Sequence, residues 1–178
     1  NLGTQIVANL FRPAGFEPSR RYAAVVVTHP FGGVKEQTAG LYALRLAEQG
    51  FLTLAYDASY QGESGGEPRL MEVPAQRLDD ISCAIDFLGG HPLVDPLRIS
   101  SLGICAGGGY ALCNAATELR VKAVAAVSTF NLGEAQLLQL LLQGHDGRGH
   151  FALPEARQHL LHFFFDNPLA LSRLSLPR

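Results

Sequence analysis

Arg98-Ile-Ser-Ser-Leu-Gly-Ile-Cys-Ala-Gly-Gly-Gly-Tyr110 is the stretch on which the fold turns. It opens as a short apolar, β-branched run, reaches Gly103-Ile104-Cys105-Ala106-Gly107, and passes into Ala-rich helical sequence ending near Ala116. That order predicts strand, sharp turn and helix, with a nucleophilic side chain at the apex. The turn resembles the G-x-S-x-G nucleophile elbow with Cys105 in the Ser position. Gly103 and Gly107 have a steric reason, because a tight turn brings neighbouring backbone close enough to exclude a side chain. A helix beginning at Ala106 directs its free N–H groups toward Cys105, which favours a thiolate. Other readings of the stretch fit less well. A dinucleotide fingerprint requires Gly where Cys105 stands, and no Lys follows to complete a phosphate loop. A free Cys is often simply a core residue, and that is the reading for Cys83 and Cys113, which both fall in helical patterns.

Working outward, Tyr22–Thr28 is a continuous apolar run, as expected of a central parallel strand covered on both faces, and Val121–Val127 reads as another buried strand. Phe51–Tyr56 is a third buried strand, and Thr4–Phe11 alternates loosely as a strand closed by Arg12-Pro13-Ala14-Gly15. Helical spacing places one helix over Thr38–Gln49. A second is opened by Pro74, carries Leu78, Ile81, Ile85 and Leu88 on its core face, and stops at Gly89-Gly90. His91–Pro96 reads as a rigid connector. The alternation β, β, α, β, α, β, α, β calls for an α/β fold: a mostly parallel sheet with helices on both faces. Residues 1–130 form this core. From Asn131 the pattern changes to Leu- and Phe-rich helical sequence, expected over Glu134–Gln143 and Pro154–Phe165. Residues 131–178 are therefore a helical, lid-like or divergent tail, whose apolar clusters suit packing or association into oligomers.

Two Gly-rich loops follow strands at the end of the sheet where ligands gather in open α/β folds. In His29-Pro30-Phe31-Gly32-Gly33 the glycines let backbone amides turn inward, and the elbow scheme draws its second oxyanion donor from this loop. His29 itself is read as a structural residue holding the loop. In Asp57–Gly66, Asp57 is read as a loop-bracing carboxylate and Glu63 as a solvated or loop-bracing one.

Composition narrows the partners. With 178 residues, 47% of them hydrophobic, the chain can bury one real core. Fourteen basic against 16 acidic residues leave no basic surface for nucleic acid or anionic lipid. No apolar run reaches membrane-spanning length. Three cysteines without framework spacing point to a reducing, cytoplasmic setting. The His and Cys residues lack metal-ligand spacing, and no cofactor is called for. The absence of an initiating Met suggests a chain that starts part-way through a longer product.

Three blocks in order, His29–Gly40, Asp57–Pro68 and Leu102–Tyr110, resemble the α/β-hydrolases related to dienelactone hydrolase and to the polyketide transferase group. The resemblance spans about Leu10 to Ser128. It implies an eight-stranded hydrolase fold, Cys105 as nucleophile, and oxyanion donors at the N–H of Ala106 and of Phe31 or Gly32. The expected activity is cleavage of an ester, lactone or thioester in a small carbonyl substrate. Acyl transfer to another acceptor, or a non-catalytic binding remnant, are the alternatives. Hydrolases of this kind carry a late acid and a late His on further strands, whereas this chain ends at Arg178 with His145, His150, His159 and His162 in its tail. The expectation is a C-terminally truncated hydrolase with little or no turnover.

Overall fold

The apolar runs become the sheet. The computed structural model describes residues 3–129 and residue 131. Within them the order is β1 (Ala8–Phe11), β2 (Tyr22–Thr28), α1 (Thr38–Glu48), β3 (Leu52–Tyr56), α2 (Pro74–Gly90), β4 (Val94–Ile104), α3 (Ala106–Ala115) and β5 (Val121–Val127). The strands lie side by side as β1-β3-β2-β4-β5. Neighbours pair in parallel except β1, which runs antiparallel to β3. This is the mostly parallel α/β sheet that the alternation predicts.

Helices cover both faces. On one, Ala39 and Ala43 of α1 pack with Val25, Val27, Ala55, Leu102 and Ile104. On the other, α2 and α3 lie against β4 and β5. There Gly89 approaches Ile99, and Gly108 approaches Ala126. No helix among the described residues is long and apolar enough to cross a membrane.

β3 starts one residue later than expected, at Leu52, and the limits of β1 and β4 differ by more. β1 keeps only Ala8–Phe11 of the expected Thr4–Phe11. The preceding residues bond to a loop instead: Asp57 N–H donates to Val7 O at 2.9 Å, and Gly65 N–H to Gln5 O at 2.8 Å. β4 begins earlier than expected, inside the connector. Val94 pairs with Tyr22, and the register then breaks so that Ala24 pairs with Ile99. Pro96 sits within that irregularity, where a missing N–H costs no ladder bond. The core face of α2 keeps Ile81, Ile85 and Leu88 as expected but is wider than the sequence reading. Arg77, Asp80, Ile81, Ala84, Ile85 and Leu88 are buried, while Leu78 is only partly so. The tail helices expected over Glu134–Gln143 and Pro154–Phe165 lie outside the described residues.

Candidate active site

β4 has β2 on one side and β5 on the other, and Cys105 is the single residue between its end and the start of α3. Cys105 adopts φ 55° and ψ −122°, a left-handed geometry that is strained for any residue but Gly. The strain is held from three sides. The Cys105 N–H donates to Val127 O at 2.9 Å, and Gly108 N–H returns to Cys105 O at 3.0 Å. A Cβ at Gly103 would sit 2.1 Å from Gly107 O, and one at Gly107 would sit 2.5 Å from the carbonyl oxygens of both Thr28 and His29. The two glycines thus let the elbow close and let α3 press onto the end of β2. Ala106, buried at the first position of α3, has an N–H with no intrahelical partner.

The contact between Gly107 and His29 brings the loop after β2 beside the elbow. There Gly33 N–H donates to Pro30 O at 3.0 Å, and Gly32 turns with φ +62°. Phe31 is exposed at the loop's tip. The elbow and the loop that carry Cys105, Ala106, Phe31 and Gly32 are therefore neighbours.

His29 is fully buried and its ring is occupied. Nε2 accepts from Ala58 N–H at 3.1 Å and from Arg77 Nη1 at 2.8 Å. Both partners are donors, so the ring proton is on Nδ1, which donates to Pro30 O at 2.7 Å. Burial first, then the Arg77 guanidinium, push its pKa down to about 3. The imidazole is neutral and has no lone pair to offer a thiol. It holds the loop, as the sequence suggested.

Asp57 is likewise a brace. Its carboxylate accepts from Lys35 N–H (2.7 Å), Lys35 Nζ (2.8 Å) and Glu63 N–H (2.8 Å). Burial alone would raise its pKa, but the bonds from Lys35 and Glu63 outweigh that and hold it below the ordinary carboxylate value. Glu63 is an exposed partner of the same lysine, 2.5 Å from Nζ. A Cβ at Gly62 would strike the Asp57 carboxylate, which fixes glycine there.

Two buried cations escaped the sequence reading. Lys35 lies beneath the loops with Asp57. Arg77 sends Nη2 to His29 O at 2.8 Å, lies 5.2 Å from the Tyr110 ring centroid, and faces the Glu72 carboxylate at 3.5 Å. The signal for Arg77 was present, since it is in helical phase with Ile81, Ile85 and Leu88. Lys35 had no such signal. Cys83 and Cys113 are corrected too: both are helical, but Cys83 is only partly buried and Cys113 is exposed.

A pocket of about 350 Å³ lies between β1, β3 and α2, lined by Ile6, Leu10, Leu54, Tyr56, Cys83 and Phe87 among others. None of the elbow or loop residues lines it, so it is separate from this site. Among the described residues no group of three His, Cys, Asp or Glu side chains stands together as a metal site.

The comparisons with known proteins agree with this architecture. Uncharacterized protein YcjY of Escherichia coli is 55% identical over 126 residues, which are 71% of this chain and 41% of that protein. Polyketide transferase claH of Penicillium crustosum is 36% identical over 70% of this chain and 40% of its own length. The chain thus spans about two fifths of these curated relatives. Among solved structures, the hypothetical protein PA2218 from Pseudomonas aeruginosa superposes with a TM-score of 0.68 at 33% identity, covering 90% of this chain and 60% of that one. The family model described as "Dienelactone hydrolase family" matches residues 7–137, which include both loops and the elbow. The chain belongs to the dienelactone hydrolase family.

Proposed function

We propose that the chain carries the nucleophile and oxyanion site of a hydrolase that cleaves ester, lactone or thioester bonds in small carbonyl substrates. The observation that carries this reading is the strained Cys105, φ 55°, at the mouth of α3 beside the loop after β2. In the proposed reaction the Cys105 thiolate forms a bond to the carbonyl carbon, and the C=O π pair moves onto oxygen. The N–H of Ala106 and that of Phe31 or Gly32 hold this oxyanion. Its collapse expels the alkoxide or thiolate leaving group, which takes up a proton, and leaves an acyl thioester on Cys105. Water then adds to the thioester carbonyl and gives up a proton, the C–S bond breaks, and the acid leaves with the Cys105 thiolate restored. The three cysteines are free, and a thiol nucleophile suits a reducing, cytoplasmic setting.

Similarity to a polyketide transferase, 36% identical over 70% of this chain, favours a second reading in which an acceptor other than water takes the acyl group. The residues are the same in both. The test is to treat the chain with an activated aryl ester, digest it, and locate the acyl group by mass spectrometry. Acyl on Cys105, transferred to added alcohols more slowly than to water, supports the hydrolase. Faster transfer to the alcohol supports the second reading, and acyl on other residues alone rejects both.

A further inference from the structure

Of the buried charged groups among the described residues that the mechanism leaves unused, Arg77 is the one bonded to His29, the first residue of the loop after β2. Arg77 is 2% exposed, yet it projects from α2 into the space under the oxyanion loop. Its two terminal nitrogens bond to the same residue: Nη1 to the His29 ring at 2.8 Å and Nη2 to the His29 carbonyl at 2.8 Å. His29 passes the constraint forward, because Nδ1–H holds Pro30 O at 2.7 Å. It also passes it sideways, since its carbonyl oxygen lies 2.5 Å from where a Gly107 Cβ would be. One guanidinium therefore fixes the loop's first residue against the elbow, and Phe31 and Gly32 follow directly.

The rest of the cluster explains why the guanidinium stays there. The Glu72 carboxylate faces Nε at 3.5 Å, and the Tyr110 ring lies beneath it at 5.2 Å. Tyr110 is on α3, five residues after the nucleophile. Burial and the facing Glu72 push its hydroxyl pKa up, so it stays neutral. Glu72 thus faces both the Arg77 guanidinium and the Tyr110 hydroxyl, which ties α2 and α3 together beneath the loop.

We propose that Arg77 is a positioning residue that holds the oxyanion loop in register with the Cys105 elbow, with Glu72 as its buried counter-charge. This rests on the acyl-transfer reading of the site, and it predicts a selective effect. Attack on an ester builds an oxyanion, whereas alkylation of a thiol by iodoacetamide does not. Arg77→Lys keeps the charge facing Glu72 but cannot span two acceptors with a planar fork.

The experiment compares the full chain with Arg77→Lys and Arg77→Met, each checked for folding by circular dichroism. Acylation of Cys105 by p-nitrophenyl acetate should slow about 10–100-fold, the scale of a small misplacement of catalytic groups. Alkylation of Cys105 should stay within about twofold. Equal losses in both reactions, or no loss in either, would overturn the inference. Amide exchange keeps the two readings apart. Gly33 N–H, held by Pro30 O, and Ala58 N–H, held by the His29 ring, should exchange faster in both variants while β3 amides do not. If the unmodified chain is not acylated at all, the functional reading fails, and unchanged exchange at Gly33 and Ala58 would then refute the positioning role independently.

Discussion

At the scale of single residues, the site is framed by charged and polar groups whose burial depends on partners far along the chain. His29 makes this testable. Its pKa is lowered to about 3 by burial and by Arg77, against 6.5 for the free group. As pH falls below about 6.5, the unfolded chain gains a proton at this residue that the native chain refuses. Stability supplied by the neutral ring is thus fully present above pH 6.5 and lost as pH falls toward 3, by roughly 1 kcal/mol per pH unit from this group. Ring NMR should show no His29 titration between pH 5 and 8; a midpoint near 6.5 would contradict the geometry. Lys35 and Asp57 give a second prediction. Replacing Lys35 with Met leaves a buried carboxylate without its cation, and urea denaturation should register a loss of about 3–5 kcal/mol. A loss below 1 kcal/mol would mean that Asp57 is satisfied by its two backbone donors alone.

Elements were more legible than residues. The limits of β2 and β5 and the start of α2 at Pro74 were readable because Val- and Ala-rich strand sequence and a proline at a helix's first turn are local signals. The elbow was readable because its glycine spacing has a steric cause that neighbouring residues reveal. The shortened β1 and the early start of β4 were not, since both depend on which distant backbone is offered for pairing. Arg77, Lys35 and the His29 ring were missed in detail for the same reason: their partners are 22 to 48 residues away. The elbow itself predicts that Gly107→Ala destabilises the fold by about 1–3 kcal/mol or more, because the new Cβ meets two backbone carbonyls. Gly90→Ala, at the end of α2 with no atom within 4 Å of the new Cβ, is the control and should be neutral or slightly stabilising. The helix also predicts that Cys105 alkylates faster than Cys113, although Cys113 is exposed and Cys105 is not fully so. Labelling in order of exposure would contradict an activating environment.

At the scale of the whole molecule, β2, β3 and β4 run parallel, so their carboxyl ends lie at one end of the sheet, where the Cys105 elbow and the loop after β2 form the candidate site. The described histidines do not complete it. His29 is committed to the loop, and His91 caps α2 ahead of β4, roughly 30 Å of strand from the elbow. On the proposed reading the described histidines supply no acid–base help to the leaving group or to water, and His145 and His150 are the first residues to replace in testing where such help comes from. Without such help, release of the acyl group should be slower by about 10²–10⁴. The central claim, Cys105 as an acyl-accepting nucleophile, is tested most directly by the p-nitrophenol burst on mixing the chain with p-nitrophenyl acetate. The account predicts one equivalent released per chain, a slow steady phase after it, and no burst in Cys105→Ala. A burst of equal size in Cys105→Ala, or none in the unmodified chain, would contradict it.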